Sequence, residues 1–248
     1  MPKDRFSEQA KNYALYRPIY PEELFNYIIS FVEEREIAWD CATGNGQSAV
    51  PLAGHFRKVF ATDISQKQLQ QANKKDNIKY IVCPAETTPF PANSFDLITV
   101  SQAYHWLNWQ QFHNEAIRVG KNNCVVAVWM YDLISSQQQD LNKLIQHFYK
   151  NITGPYWDAE RRHVDDHYAN VLFNFEPLPS KGFFIETRFT PEQLLGYFST
   201  WSATQNFIKA NGLSPIIKIK DDLCKIWPHN EIRSFLFPVI LKLGKIIK

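Results

Sequence analysis

The sequence has no Cys-x-x-Cys pair among its four cysteines, which removes the simplest signature of a thiol redox motif or zinc knuckle. Cys41, Cys83 and Cys124 fall in apolar, strand-like runs, where a thiol behaves as a small hydrophobe, so reduced, buried thiols are expected. It has no excess of one charge: 27 Lys and Arg stand against 25 Asp and Glu, leaving +2 with His neutral. That balance disfavours a nucleic-acid or anionic-membrane surface and favours a small-molecule ligand. No stretch approaches the roughly 20 apolar residues of a membrane span, and the first twenty residues carry charges with no apolar core of the signal-peptide kind. A soluble, cytoplasmic protein is expected. There is no internal repeat or low-complexity linker, which argues for one unit over residues 1–248.

What is present is enough for a core. Of the 248 residues, 45% are hydrophobic and 15% aromatic, and many Trp and Tyr lie outside the strand-like runs, where either an aromatic-lined pocket or ordinary packing would use them. Helical spacing predicts a leading helix over residues 6–16, broken at Arg17-Pro18, and a second helix from Pro21 to about Glu34. Apolar runs at 37–41, 59–63, 78–83, 95–101 and 124–130 then alternate with helical stretches at 47–56, 65–75 and 109–119. That rhythm predicts an α/β, Rossmann-like, doubly wound and mostly parallel sheet whose ligand lies beyond the carboxyl ends of its strands. After Tyr131 the pattern turns helical and aromatic: a helix over 136–150, a strand over 183–190 and two helices spanning 191–225. The closing run 234–241 contains Pro238, which suits an edge or outer strand better than a central one.

Asp40-Cys41-Ala42-Thr43-Gly44-Asn45-Gly46 places small residues where a strand hands over to a helix, so that backbone can approach a ligand closely. Asp63, 23 residues beyond Asp40 at the next strand's end, can accept the hydroxyls of a ribose. Both features suit S-adenosylmethionine and nicotinamide dinucleotides alike, and Gly44 to Ala49 also match Gly-x-Gly-x-x-Ala.

Further stretches carry a resemblance. Pro84-Ala85-Glu86-Thr87-Thr88-Pro89-Phe90 follows the third strand; Ser101-Gln102-Ala103-Tyr104-His105-Trp106 leads into Phe112-x-x-Glu115-x-x-Arg118-Val119; and Tyr13-x-x-Tyr16-Arg17-Pro18-x-Tyr20-Pro21 and Thr200-Trp201-Ser202-Ala203 flank the core. With the glycine turn, these resemble class I S-adenosylmethionine-dependent methyltransferases, in particular the small-molecule branch that includes trans-aconitate methyltransferases of the yeast type. Ala42 stands where that family has its first glycine, and Pro84 where it has a polar residue. The resemblance implies a seven-stranded sheet with an N-terminal helical lid (1–35), a cofactor-binding core (36–131) and a C-terminal helical cap with closing strands (132–248). It implies S-adenosylmethionine, converted to S-adenosylhomocysteine, held by Tyr13, Arg17, Asp40, Ala42, Thr43, Gly44, Gly46, Asp63, Ile64, Ala85, Glu86 and Gln102, with no metal.

The acceptor pocket is expected to be walled by Tyr20, His105, Trp106, Tyr156, Trp157 and Trp201, where aromatic faces can pack a substrate or stabilise a sulfonium. A sulfonium methyl is already activated, so the protein must chiefly place an acceptor atom in line with it. A carboxylate acceptor needs no base but does need a cation, for which Arg161, Arg162, His163 and Arg188 are candidates; a hydroxyl acceptor would make His105 the catalytic base. Asp40 could instead only hold its loop by bonding nearby amides, Asp63 could be a helix N-terminal acid, and His105 could be a satisfied structural imidazole. A monomer or homodimer methylating a small molecule is expected, without nucleic-acid or membrane partners; the alternatives are a cofactor-binding protein without catalysis and a methyltransferase acting on protein or RNA.

Overall fold

The computed structural model describes residues 16–228 and 231–248. The first expected helix, apart from Tyr16, and Tyr13 lie outside the described residues.

Nine strands make one sheet among the described residues. Five of them, β1 (Ile37–Cys41), β2 (Lys58–Asp63), β3 (Ile78–Val82), β4 (Phe95–Ser101) and β5 (Gly120–Tyr131), pair in parallel in the order β3-β2-β1-β4-β5. The pairs β6 (Ser135–Ser136) and β7 (Glu176–Pro177) are two-residue bridges, whereas β8 (Phe183–Phe189) and β9 (Arg233–Lys245) are long and antiparallel. The sheet is therefore the expected mostly parallel Rossmann-like one: seven full strands plus two short bridges. Strand order reverses between β1 and β4, the position where such sheets leave a crevice.

Continuous apolar runs in the middle strands arise because both faces are covered. Along β5, Val125, Ala127, Trp129 and Tyr131 enter one hydrophobic cluster with Leu24, Phe25, Ile28 and Ile29 of the helix Glu22–Ile29. The alternating Cys124, Val126, Val128 and Met130 enter another with Phe112, Ala116 and Val119 of the helix Trp109–Val119. The period of two divides the strand between two cores.

Several expectations are corrected. The helix begun at Glu22 stops at Ile29, not near residue 34, since the residues after Val32 are charged and exposed. Helices also shrink to Ala49–Leu52 and Gln66–Gln70; Ser65 does cap the latter, accepting from Gln68 N at 3.2 Å. The helix over 136–150 is Gln139–His147 followed by a π-turn, and the two expected cap helices are three: Pro191–Ser199, Ser202–Asn211 and Ile217–Ile226. Gly212, at φ 72, ends the second of them.

The expectation of an edge strand at Pro238 fails as well. Strand β9 lies between β5 and β8. The proline is tolerated because β5 ends at Tyr131, paired with Val239, so Pro238 faces the first residue beyond the ladder; its carbonyl still accepts from Asp132 N at 2.8 Å. Pro238 also pairs with Phe184 of β8, but its carbonyl points to the β5 side, so the missing N–H lies on that side as well, one residue beyond the end of β5.

Candidate functional site

The carboxyl ends of β1, β2, β4 and β5 open into a cavity of about 390 Å³. After β1 it is lined by Ala42, Thr43 and Gly44, after β2 by Asp63 and Ile64, and after β3 by Cys83, Ala85 and Glu86. Beyond β4 stand Gln102, His105 and Trp106, and beyond β5 Tyr131 and Asp132. Arg17, Tyr20, Trp157, Arg161, Tyr197 and Trp201 close the opposite side.

Two non-glycine residues take left-handed backbone at adjacent strand ends, Ala42 at φ 52 and Gln102 at φ 51. Each turns the chain sharply out of the sheet, at a cost of about 1 kcal/mol or more for a residue with a Cβ. Gln102 is held there by its side chain, whose Oε1 accepts from Tyr131 N at 2.7 Å while its own N–H bonds Trp129 O at 2.8 Å. The loop after β3 is fixed from below. Glu115 accepts from Thr88 N at 2.7 Å and from the Arg118 guanidinium, which also donates to Phe90 O at 2.8 Å. The Phe-x-x-Glu-x-x-Arg-Val signature therefore braces the loop that carries Ala85 and Glu86 to the cavity.

At the polar end, Asp63 accepts from Gly44 N and Ser65 N, both at 2.8 Å, so its carboxylate joins the turns after β1 and β2 while still facing the cavity. Asp40 behaves differently. It is fully buried, off the cavity wall, and bonded by the hydroxyls of Thr43 and Thr99, the latter at 2.8 Å. Burial raises its carboxyl to about 6, against the lowering effect of those hydroxyls. Gly46 also stands off the wall, at φ 83, where a Cβ would come 2.5 Å from the Tyr80 hydroxyl oxygen. Asp40 and Gly46 thus lie off the cavity wall, in the loop that carries Thr43 and Gly44 to it.

At the aromatic end, Trp157 and Trp201 meet at 5.5 Å, and Tyr197 crosses Trp201 at 5.7 Å. Tyr156 is not part of this wall: its ring packs on Phe207 at 4.7 Å and its hydroxyl accepts from Asn211. Arg161 donates from Nε to Tyr149 Oη at 2.8 Å, lies 3.4 Å from Asp165, and stacks over Trp157 at 4.7 Å. Burial opposes its charge, but Tyr149 and Asp165 hold the guanidinium above its ordinary value. Arg17 donates to the Tyr131 hydroxyl and to Thr200 O. Arg162 and Arg188 are exposed and off the cavity, and His163 packs against Trp109 at 4.8 Å.

The structure thus gathers Arg17, Tyr20, Ala42, Thr43, Gly44, Asp63, Ile64, Ala85, Glu86, Gln102, His105, Trp106, Trp157 and Trp201 around one space. Sequence reasoning missed Tyr131, Asp132 and Tyr197. The strand-end rule that found Asp63 would have found the first two, and Tyr197, one helical turn before Trp201, could have been found by spacing. Cys83, expected buried, is half-buried on the cavity wall. Among the described residues no cluster of His, Cys, Asp and Glu could hold a metal ion, and no helix is long and apolar enough to cross a membrane.

A doubly wound sheet with its cleft at the strand-order reversal defines the Rossmann-like class of α/β proteins. Comparison with known proteins narrows it. The methyltransferase domain family matches residues 39–128. A Dictyostelium discoideum protein named "Putative methyltransferase" is 34% identical over 98% of this chain and 95% of its own length. A "Probable S-adenosylmethionine-dependent methyltransferase" of Saccharomyces cerevisiae, CRG1, is 25% identical over 71% of the chain and 63% of its own length. A solved structure from Anaeromyxobacter dehalogenans, described as a "Putative Type II Methyltransferase", superposes with a TM-score of 0.85 at 30% identity, covering 94% of this chain and 99% of that one. The chain belongs to the methyltransferase family.

Proposed function

We propose that this methyltransferase takes its methyl group from S-adenosylmethionine and places it on a carboxylate oxygen of a small acid. The observation that carries the choice of acceptor is Arg161. Its side chain is only 15% exposed and its Nε is anchored, while neither terminal nitrogen makes a hydrogen bond among the described residues. Those two nitrogens belong to a residue of the cavity wall and form a planar pair of donors matched to a carboxylate.

The cavity residues fit the cofactor. Gly44, at φ 58, has among the described residues, its chain neighbours aside, only Gln68 Oε1, at 4.0 Å, within reach of a Cβ position, leaving backbone open to a ligand. Asp63, oriented by two backbone N–H groups, presents to the cavity a carboxylate, the acceptor chemistry that a ribose hydroxyl pair requires. Bound there, S-adenosylmethionine would supply an electrophilic methyl carbon on sulfur. In this reading Ile64, Ala85, Glu86 and Gln102 flank the adenosine and Arg17 meets the methionine carboxylate. Tyr20, Trp106, Trp157 and Trp201 exclude water and hold the acceptor. Asp40 and Gly46 support the loop. A carboxylate is already anionic, so its oxygen needs placement, not deprotonation. The resemblance to trans-aconitate methyltransferases points the same way.

The test is transfer of labelled methyl to a panel of small carboxylic acids and their alcohol analogues, with cofactor affinity followed by calorimetry. Arg161→Met is expected to raise KM for an accepted acid about a hundredfold, the loss of two charged hydrogen bonds moderated by solvent, and to leave cofactor Kd within about twofold. Arg161→Lys should not restore it. Alcohols methylated as well as acids, or an unchanged KM, would refute the acceptor assignment; cofactor binding with no product from any acid would leave only a binding protein.

A further inference from the structure

His105 sits on the 3-10 turn Tyr104–Trp106 after β4, lines the cavity, and is 5% exposed. Its Nδ1 lies 2.8 Å from the hydroxyl of Tyr168, a fully buried side chain 63 residues further on. A nitrogen and a hydroxyl at that distance can share either of two protons, and the rest of the surroundings decides which.

Among the described residues, His105 Nδ1 is the hydrogen-bond partner of the Tyr168 hydroxyl. A hydroxyl both donates and accepts, and a buried phenol proton left without an acceptor carries a full desolvation penalty. That proton therefore goes to Nδ1. The reverse assignment, with Nδ1–H donating to the phenol oxygen, would leave the phenol proton buried with no acceptor at hydrogen-bond distance among the described residues. Burial pushes the Tyr168 phenol well above its ordinary value, so the proton is present at neutral pH.

The backbone is bent to make this contact. His167 and Tyr168 are consecutive left-handed residues, at φ 52 and 57, in a region that side chains with a Cβ disfavour. They are retained by Tyr168 N donating to His163 O at 2.8 Å and by His167 Nε2 on Asp132 Oδ2, also at 2.8 Å. Strain of this kind persists where surrounding contacts over-determine it.

We infer that Tyr168 is a positioning residue: its hydroxyl donates to Nδ1 of His105 and thereby fixes the imidazole as the Nε2–H tautomer, a hydrogen-bond donor toward the acceptor and not a base. The part concerning the acceptor rests on the methyl-transfer reading above. With its proton on Nε2, His105 offers no lone pair to an alcohol, whereas it can donate to the carboxylate oxygen that is not being methylated. This reverses the expectation that His105 removes a proton.

Nitrogen-15 correlation spectra of the histidine-labelled protein, without added ligand, test it; the His105 signals are assigned by their loss in His105→Asn. The expected wild-type spectrum has a neutral imidazole protonated at Nε2, and Tyr168→Phe gives a mixture of tautomers. That variant should lower kcat on the order of tenfold, the worth of one hydrogen bond, and cause no further loss in the His105→Asn background. A wild-type proton on Nδ1, or an unchanged tautomer in Tyr168→Phe, overturns the inference. Should Tyr168→Phe fail to fold, the wild-type spectrum alone decides. Absence of methyl transfer by the wild type would overturn the function and leave the tautomer measurement standing.

Discussion

Asp40→Asn offers the sharpest test of the view that this acid is a loop support carried at an electrostatic cost. In the folded chain the carboxyl is raised from 3.8 to about 6, chiefly by burial. A raised carboxyl binds its proton more tightly in the folded than in the unfolded state. Its penalty is therefore absent below the unfolded value, grows as pH rises from about 4 to 6, and is complete near pH 7. The size follows from the displacement: about 3 kcal/mol between the two ends of that window. The two threonine hydroxyls bond different carboxylate oxygens, so asparagine keeps a carbonyl acceptor for one of them, offers the other hydroxyl oxygen an NH2 donor, and has nothing to titrate. Urea unfolding at a series of pH values, followed by tryptophan fluorescence, should show the stability of Asp40→Asn gaining on wild type by about 3 kcal/mol from pH 4 to pH 7. That corresponds to a relative shift in midpoint on the order of 1 to 3 M. A stability difference that stays constant across the window would refute the reasoning, because ionisation of Asp40 would then cost the fold nothing.

Two backbone predictions concern the turn above it. Ala42→Gly should relieve the strain at φ 52 and raise stability by about 0.5 to 1 kcal/mol after the entropy of the freed glycine is deducted, measured as a higher melting temperature; a loss would place the strain elsewhere. Gly46→Ala should cost about 2 kcal/mol or more, since its φ is 83 and the new Cβ would meet the Tyr80 hydroxyl at 2.5 Å. Removing that hydroxyl in Tyr80→Phe should make the same substitution less costly, and equal costs in the two backgrounds would show that the close contact does not matter.

Much of the site was legible because it obeys local rules. Strands covered on both faces read as continuous apolar runs, and loops at their carboxyl ends carry Thr43, Gly44, Asp63 and Glu86 to the ligand side whatever the rest of the chain does. Helix ends were less legible, because packing decides where a marginal helix stops. Pro238 misled for a related reason: a proline excludes a ladder bond, but whether a bond was due there depends on where β5 ends.

The sequence by itself determined the layered α/β order, the glycine turn and its acid, and the aromatic character of the far wall, since periodicity and residue size act over short stretches. Only the tertiary structure decided that Asp40 faces inward while Asp63 faces the cavity, that Arg161 and not its neighbour Arg162 reaches the wall, and that Tyr168 meets His105. Those outcomes depend on which side chains lose contact with water, a quantity set by segments far apart in the chain.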